Sequence, residues 1–351
     1  HNVSSAASDV YKRQDIDLTN ICNARCPQCP RYDHEYRLRP GLNKNSLTVD
    51  DLVNGIDNKY WKTIRTIVHS GTTGEPTLNK QILQILEYEI AKCPNAYYVI
   101  HSNGDTYNPE WWKNLGKLLS GVKHELQFGI DGLEDTHALY RVGTDYNRII
   151  DNARAFIAGG GYAIWQFIHF KHNQHQLAEA KDLALKYGFS GFKPLRSTRF
   201  NYQKIVQPDG LQYLLEPSDI TPEPDLDDPT HMTTGLDSRT VNIKCNSIEE
   251  STVYIYADGT VWPCTYLGGI HLFQARSVHN AIDWSIIKKH VITPYGPLPN
   301  IIESILSNIL TSEQWNAWTF VLNRPTKICK QQCNSCVVSR EQEEFDLGYR
   351  L

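Results

Sequence analysis

Six short apolar segments rich in β-branched residues alternate with helix-like segments between residues 15 and 199. The predicted strands cover residues 15–19, 63–69, 96–101, 125–130, 163–170 and 191–195. Alternation of this kind favours βαβ units, which place consecutive strands side by side in a parallel sheet. Six units are too few to close an eight-stranded barrel. The sequence therefore predicts an α/β fold, with an open, partial (β/α)6 barrel.

One intervening segment shows the helical pattern clearly. Its apolar positions recur at helical spacing, at Leu177, Ala180, Ala184 and Tyr187. Asn173 is predicted to be its N-cap and Gly188 its C-terminal stop. Such a helix would cover one face of the predicted sheet.

The pattern changes after residue 200. Residues 201–240 mix prolines with aspartates, which predicts a linker or long surface loop. Further on, Asp258 and Gly259 separate two strand-like segments, a hairpin signal, and residues 301–320 look helical. The predicted parts are a non-native extension that resembles translated adaptor sequence (1–14), the barrel (15–200), the linker (201–240), a small α+β domain (241–340) and a tail (341–351).

Composition narrows the class of protein. The 351 residues carry a formal charge of −4 and no basic block, so nothing in them favours nucleic-acid binding. No apolar run reaches the length of a membrane span, and no secretory signal is visible, so no membrane partner is predicted. We expect a cytoplasmic protein.

Three of the nine cysteines lie on one short loop after the first predicted strand, as Cys22-x3-Cys26-x2-Cys29. Three thiolates on such a loop can hold three irons of a 4Fe–4S cluster and leave the fourth iron open to a ligand. A zinc site is the alternative. It would take its fourth ligand from Asp33 or His34 nearby.

This loop resembles the CxxxCxxC signature of the radical S-adenosylmethionine (SAM) superfamily. Three further motifs follow, each after a predicted strand, in the order found in that family. They are the TGEP sequence at 73–76, the SNG sequence at 102–104, and the IDG sequence at 130–132 with His137 and Arg141 after it. The resemblance extends over roughly residues 15–199.

The resemblance implies roles for individual residues. Cys22, Cys26 and Cys29 would ligate the SAM-binding 4Fe–4S cluster, and Asp131 belongs to the IDG motif that contributes to the SAM site. Gly74 and Glu75 would hold the SAM amino group, Asn103 would face the ribose, and Arg141 would pair with the SAM carboxylate. The cluster would cleave SAM reductively to a 5′-deoxyadenosyl radical that abstracts a substrate hydrogen. A reductant such as flavodoxin or ferredoxin is implied.

Two positions depart from the family pattern, and several structural roles stay open. Gln28 replaces a common aromatic residue, and Gly129 replaces the usual serine or threonine. Glu75 is also a good helix-start acid, Asn103 a good turn residue, and Arg141 a plausible surface residue. The histidines near predicted strand ends could line a substrate pocket or belong to the core or its rim: His69, His101 and His169. Three cationic residues after the last predicted helix could contact an anionic substrate or have no such role: Lys193, Arg196 and Arg199.

The C-terminal cysteines resemble the SPASM/Twitch pattern of radical SAM enzymes. Cys245, a hairpin glycine at 259, Cys264, Cys333 and Cys336 would bind one auxiliary 4Fe–4S cluster. Cys329 is either free or a replacement for Cys333. A four-cysteine zinc site is the alternative.

Three functional hypotheses follow. The first is a radical SAM enzyme acting on an unidentified peptide, sugar or nucleotide. The second is a molybdenum-cofactor-type cyclase, against which the missing C-terminal Gly-Gly pair argues. The third is a non-enzymatic iron–sulfur electron carrier or zinc-binding module, which leaves the predicted barrel and the TGEP loop unexplained.

Overall fold

The computed structural model describes residues 11–32, 37–197, 204–206, 210–220, 247, 250–268, 285 and 287–322, with side chains as far as residue 318. Six strands pair in parallel, in the order of the chain. They are β1 (Arg13–Ile16), β2 (Thr66–His69), β3 (Tyr97–Ser102), β4 (Lys123–Gly129), β5 (Ala163–His169) and β6 (Gly191–Arg196). The predicted α/β fold with a parallel sheet is confirmed. Residues 13 and 14, which the sequence assigned to the extension, lie within β1.

Helices alternate with these strands. They are α1 (Val49–Gly55), α2 (Asn58–Trp61), α3 (Ile82–Lys92), α4 (Pro109–Leu119), α5 (His137–Tyr140), α6 (Tyr146–Ala158) and α7 (Leu177–Tyr187). Short 3-10 helices precede α3 and α7, at Pro76–Leu78 and Gln174–Gln176. Gly188 ends α7 in the left-handed conformation, as predicted. Asn173 does not cap α7, because its side chain instead accepts a hydrogen bond from the Phe170 amide, at 2.6 Å.

The two faces of the sheet differ in chemistry. Strand residues of one parity, such as Ile67, Ile100 and Trp165, are buried in a single hydrophobic core with the helices. Residues of the other parity are largely polar and interact across strands, as Gln166 does when its Nε2 donates to Gln127 Oε1 at 3.2 Å. The polar face is therefore the one available for binding chemistry.

A C-terminal hairpin joins the same sheet. Strands β9 (Thr252–Ile255) and β10 (Val261–Trp262) pair antiparallel around Gly259, whose φ of 87° suits glycine, so the predicted hairpin is present. Strand β9 also pairs in parallel with β1, which makes an eight-stranded sheet ordered β10-β9-β1-β2-β3-β4-β5-β6. The sheet therefore continues across the boundary predicted between barrel and C-terminal domain.

A second hairpin lies within the segment predicted to be a linker. Strands β7 (Lys204–Val206) and β8 (Gln212–Leu214) pair antiparallel, and Ile205 packs with Tyr140 and Phe170. Three-residue strands are too short to show a periodic pattern in the sequence.

The last described elements are helical. A π-helical turn (Lys288–Ile292) leads into α8 (Thr293–Tyr295), followed by α9 (Leu306–Thr311) and α10 (Glu313–Leu322). The helix expected over 301–320 is thus two helices separated at Ser312, which has extended backbone. Among the described helices, none combines the length and apolar character that crossing a membrane requires.

Candidate active site

The cysteine loop leaves the end of β1 and turns tightly. The Cys29 amide donates to the Cys26 carbonyl at 3.1 Å, and buried Gln28 has a φ of 65°. The three thiols are half-buried and lie near enough to one another to interact electrostatically. Within the described residues, no three histidine, cysteine or acidic side chains converge on a single-ion site.

Burial is the largest influence on the pKa of two loop thiols, Cys22 and Cys26. Burial raises the pKa of Cys26 to about 11, although the adjacent Arg141 guanidinium opposes the shift. Burial, the Glu75 carboxylate and the neighbouring thiols also raise the pKa of Cys22. Iron binding therefore has to displace these protons, as it does for any thiolate ligand.

The first part of the loop is tied to the segment after β3. The Asn23 amide donates to the backbone carbonyl of Asp105 at 3.0 Å and to its carboxylate at 3.1 Å. Asn103 Nδ2 donates to Asn23 Oδ1 at 2.8 Å and lies 4.0 Å from Cys22 Sγ. Asn103 Oδ1 accepts from the Asp105 amide at 2.9 Å, so Asn103 is both a turn residue and a neighbour of the cluster loop.

Glu75 is buried and accepts hydrogen bonds at both carboxylate oxygens. Oε1 accepts from Ser102 Oγ and Thr77 Oγ1, each at 2.7 Å, and Oε2 accepts from the Asn103 amide at 2.7 Å. The carboxylate also caps the Pro76–Leu78 helix through the Thr77 amide. Burial raises the pKa of Glu75, and these donors partly offset the shift. Glu75 is thus a helix-start acid that also lies near Cys22.

Gly74 brings this loop against the cysteine loop. A Cβ added at Gly74 would lie 1.9 Å from the Thr19 carbonyl oxygen, so no larger residue fits without movement. The next amide, that of Glu75, donates to the Ile21 carbonyl at 2.8 Å. Gly74 therefore permits the contact that places Glu75 beside the cysteines.

Arg141 and Asp131 form a buried ion pair on the other side of the loop. Arg141 Nε donates to Asp131 Oδ2 at 2.6 Å, and Arg141 Nη1 lies 4.0 Å from Cys26 Sγ. The Arg141 side chain is only 16% exposed, which excludes a solvated surface role. A Cβ at Gly129 would lie 2.3 Å from Arg141 Nη2, so the guanidinium occupies the space that a serine or threonine would need. This contact accounts for the departure from the family pattern at Gly129.

Other predicted residues lie elsewhere. His69 is fully buried on the helix side, where its Nε2 is 2.9 Å from Glu89 Oε2, so it is a core residue. His169 is also buried, whereas His101 and Lys193 are half-buried and Arg196 is exposed. Cys93 is a buried thiol that donates to the Trp61 carbonyl, as an inert cysteine should.

The predicted auxiliary ligands are only partly described. Cys264 is buried just after β10, and its Sγ accepts from the Leu267 amide at 3.4 Å. The remaining residues of this group lie outside the described residues: Cys245, Cys329, Cys333 and Cys336. Asp33, His34 and Arg199 also lie outside them.

Sequence reasoning missed two polar residues at the end of β1. Asp17 is fully buried among hydroxyl and amide donors. Asn20 is 1% exposed, and its side-chain amide makes no hydrogen bond of good geometry among the described residues, although the Tyr256 hydroxyl lies beside it. The sequence could have indicated both residues, because they follow a buried strand whose carboxyl end leads into the cysteine loop. An unsatisfied buried amide is a group that a polar ligand could satisfy.

Comparisons with known families decide the class. A sequence model of the radical SAM superfamily matches residues 16–184. The chain belongs to the radical SAM superfamily. A second model, the SPASM iron–sulfur cluster-binding domain, matches residues 245–337, which confirms the predicted kind of C-terminal domain. The two matches imply SAM, a SAM-binding 4Fe–4S cluster and further iron–sulfur binding in the C-terminal region.

Solved structures support the fold of this radical SAM chain. Streptococcus suis SuiB bound to its precursor peptide SuiA has a TM-score of 0.55 at 14% identity, covering 87% of this chain and 65% of SuiB. SuiB bound to SAM has a TM-score of 0.51 at 15% identity, covering 87% and 66%. Histidine-tagged anSMEcpe with bound SAM has a TM-score of 0.50 at 13% identity, covering 96% and 84%. The chain thus spans just under two thirds of the SuiB chains. No curated protein sequence matches.

The residues present fit the implied cofactors. Three thiols share one loop, a guanidinium lies beside Cys26, and a carboxylate lies beside Cys22. The unsatisfied Asn20 amide is two residues before Cys22. Thiolates suit iron, and the flanking charged and polar groups suit a zwitterionic ligand such as SAM.

Proposed function

We propose that this chain is a radical SAM enzyme whose Cys22, Cys26 and Cys29 hold the SAM-binding 4Fe–4S cluster. One observation carries the proposal: residues that follow three other strands meet the cysteine loop, namely Glu75 after β2, Asn103 after β3, and Arg141 after β4 and α5. When bound and reduced, the cluster and SAM supply a 5′-deoxyadenosyl radical that removes a hydrogen atom from the substrate. The residues of the chain bind the cluster and SAM and orient them.

Each flanking residue has a proposed task. Arg141, fixed by Asp131, presents a planar guanidinium to the SAM carboxylate. Its positive charge beside Cys26 also favours the thiolate that iron requires. Gly74 and Glu75 hold the SAM amino group, and Asn103 faces the ribose.

The C-terminal region is proposed to hold one auxiliary 4Fe–4S cluster through Cys245, Cys264, Cys333 and Cys336. The match of the SPASM domain to residues 245–337 spans all four cysteines. Cys329 is assigned as free, with replacement of Cys333 as the alternative.

The substrate is proposed to be a peptide, a sugar or a nucleotide. A peptide has one additional support, because SuiB, which shares the fold, is bound to the precursor peptide SuiA in one structure. The electron donor is proposed to be a flavodoxin or ferredoxin.

Anaerobic reconstitution followed by incubation with SAM and dithionite tests the proposal. The wild type should form 5′-deoxyadenosine, and Cys22→Ala, Cys26→Ala and Cys29→Ala should each abolish it. Cys93→Ala is the matched control, because the buried Cys93 thiol donates to the Trp61 carbonyl, away from the cysteine loop. Unchanged turnover in any one loop variant would remove that cysteine from the cluster. No product from the wild type would favour a non-enzymatic iron–sulfur carrier.

A further inference from the structure

Strand β9 makes a buried contact with the loop that carries Gly74 and Glu75. The Tyr254 hydroxyl donates to Asp17 Oδ2 at 3.0 Å. The other oxygen of that carboxylate, Oδ1, accepts from the Thr72 amide at 3.1 Å and from Ser70 Oγ at 3.3 Å. Asp17 therefore links a residue of the C-terminal hairpin to the backbone of the loop that follows β2.

A second tyrosine of the same segment reaches the same loop directly. Tyr256 lies one residue beyond β9, and its hydroxyl is 2.8 Å from Thr73 Oγ1. Both residues are almost completely buried. Thr73 immediately precedes Gly74, and its carbonyl accepts from the Arg31 guanidinium. Two hydroxyls from one segment thus restrain Thr72 and Thr73 next to the proposed SAM-binding glycine.

The mechanism proposed above uses neither tyrosine. Asp17 makes no ion pair within hydrogen-bonding distance in the described structure, where its carboxylate accepts from Tyr254, the Thr72 amide and Ser70. A buried carboxylate held only by neutral donors is costly, and losing one donor should shift its position. Because Gly74 already packs against Thr19 without space for a Cβ, a small displacement of this loop would disturb its contact with the cysteine loop.

We propose that Tyr254 and Tyr256 are positioning residues for SAM: they hold the loop of residues 70–75 so that Gly74 and Glu75 meet the SAM amino group. The C-terminal segment is then part of the SAM site, independently of the auxiliary cluster. This inference rests on the proposed function, in which the loop binds SAM.

The test measures SAM binding by the anaerobically reconstituted full chain, using calorimetry and the electron paramagnetic resonance spectrum of the reduced cluster. Tyr256→Phe and Tyr254→Phe should each weaken SAM affinity about fivefold, the effect of losing one neutral hydrogen bond. Iron content should stay at the wild-type value, and the SAM-induced spectral change should need more SAM.

Tyr98→Phe is the matched control. Its hydroxyl also makes a buried 3.0 Å hydrogen bond, to the Cys93 carbonyl, but on the helix side of the sheet. It should lose stability as the other variants do and keep wild-type SAM affinity. Should Tyr254→Phe or Tyr256→Phe fail to fold, Thr73→Val and Thr73→Ser replace them, with serine expected to keep the affinity that valine loses.

The outcomes separate the two proposals. Wild-type SAM affinity in folded Tyr254→Phe and Tyr256→Phe, or equal loss in Tyr98→Phe, would overturn the positioning role. A wild type that retains its cluster and binds no SAM would instead overturn the proposed function. Thr73→Val should weaken SAM binding less in the Tyr256→Phe background than in the wild type, because the effects of two hydrogen-bonded partners should not add. An equal loss of SAM affinity in both backgrounds would also contradict the inference.

Discussion

Arg141 has the environment of a residue that acts at the cluster rather than at the surface. Its guanidinium lies between Asp131, Gly129 and the Cys26 thiol. Burial alone would lower the pKa of Arg141, but Asp131, Cys26 and Tyr140 together outweigh burial, so the pKa is raised. A permanent, oriented positive charge beside a thiolate cluster is what binding of a carboxylate requires.

Arg141→Ala is therefore expected to weaken SAM binding by about 2–5 kcal/mol, the cost of removing one partner from a charge-assisted pair. The iron content should remain that of the wild type, because Arg141 does not ligate iron. SAM titration of the reconstituted protein measures the change, with Arg154→Ala as the control, because Arg154 is exposed on α6 and lies over the Tyr187 ring. Wild-type affinity in Arg141→Ala would place the SAM carboxylate elsewhere.

Glu75→Gln should weaken both SAM binding and folding. Glutamine keeps one acceptor oxygen, so its nitrogen leaves unmet either the hydrogen bonds from Ser102 and Thr77 or the one from the Asn103 amide. We expect a loss of about 1–3 kcal/mol in the free energy of unfolding and a comparable loss in SAM affinity. Urea unfolding and SAM titration measure the two effects. A change in stability with unaltered SAM affinity would leave Glu75 only its capping role.

His137 provides a pH-dependent prediction. It is buried beside Thr144, and burial together with Arg141 lowers its pKa from 6.5 to about 3. The unfolded chain therefore binds this proton more readily, so the stability contribution is complete above about pH 6.5 and falls as pH drops toward 3. The slope is at most about 1.4 kcal/mol per pH unit. Urea midpoints across this range should fall more steeply for the wild type than for His137→Gln; equal slopes would contradict the assignment.

At the scale of elements, the barrel depends on close approach between its outer helices. Helices α4 and α6 meet at Gly116, where an added Cβ would lie 2.2 Å from the Phe156 carbonyl oxygen. At Gly159, just after α6, an added Cβ would lie 2.2 Å from the Lys113 carbonyl oxygen. These glycines allow the two helices to pack backbone to backbone over β4.

Gly116→Ala should therefore destabilise the fold by about 1–3 kcal/mol, the usual cost of overpacking, despite the better helix propensity of alanine. Gly121→Ala is the control, since nothing lies within 4 Å of an added Cβ there. Chemical denaturation of both variants measures the difference. A neutral Gly116→Ala would mean that the helices separate without cost.

The whole molecule joins two iron–sulfur regions through one sheet. Strand β9 leads by the hairpin to β10 and then to Cys264, and pairs along its length with β1, which leads to Cys22. Hydrogen-bonded strands thus connect the cysteine loop to Cys264, and each of the two cysteine groups is proposed to assemble its own cluster.

The wild-type chain should accordingly hold about eight irons after anaerobic reconstitution, and the triple Cys22/Cys26/Cys29→Ala variant about four. Iron and zinc analysis of both proteins measures this. Loss of all iron in the triple variant, or zinc at the C-terminal site, would refute the auxiliary cluster.

Much of the architecture was predictable because its signals are local. The six parallel strands, the left-handed stop at Gly188 and the Asp258-Gly259 turn each depend on a few consecutive residues, and these are present. The cysteine spacing and the TGEP and IDG motifs likewise belong to single loops at strand ends. Parallel strands then gather those loops at one edge, which is why the sequence alone located the candidate site.

Tertiary structure decided what depends on distant pairings. No local pattern shows that β9 adds to β1, a contact in which Gln14 meets Val253 across 239 residues of sequence. No local pattern shows that the Arg141 guanidinium fills the space beside Gly129. The same is true of the hydrogen bond that the Tyr254 hydroxyl donates to Asp17. Sequence periodicity records which side of an element is buried, whereas the partner on that side is selected only when the sheet and its loops pack together.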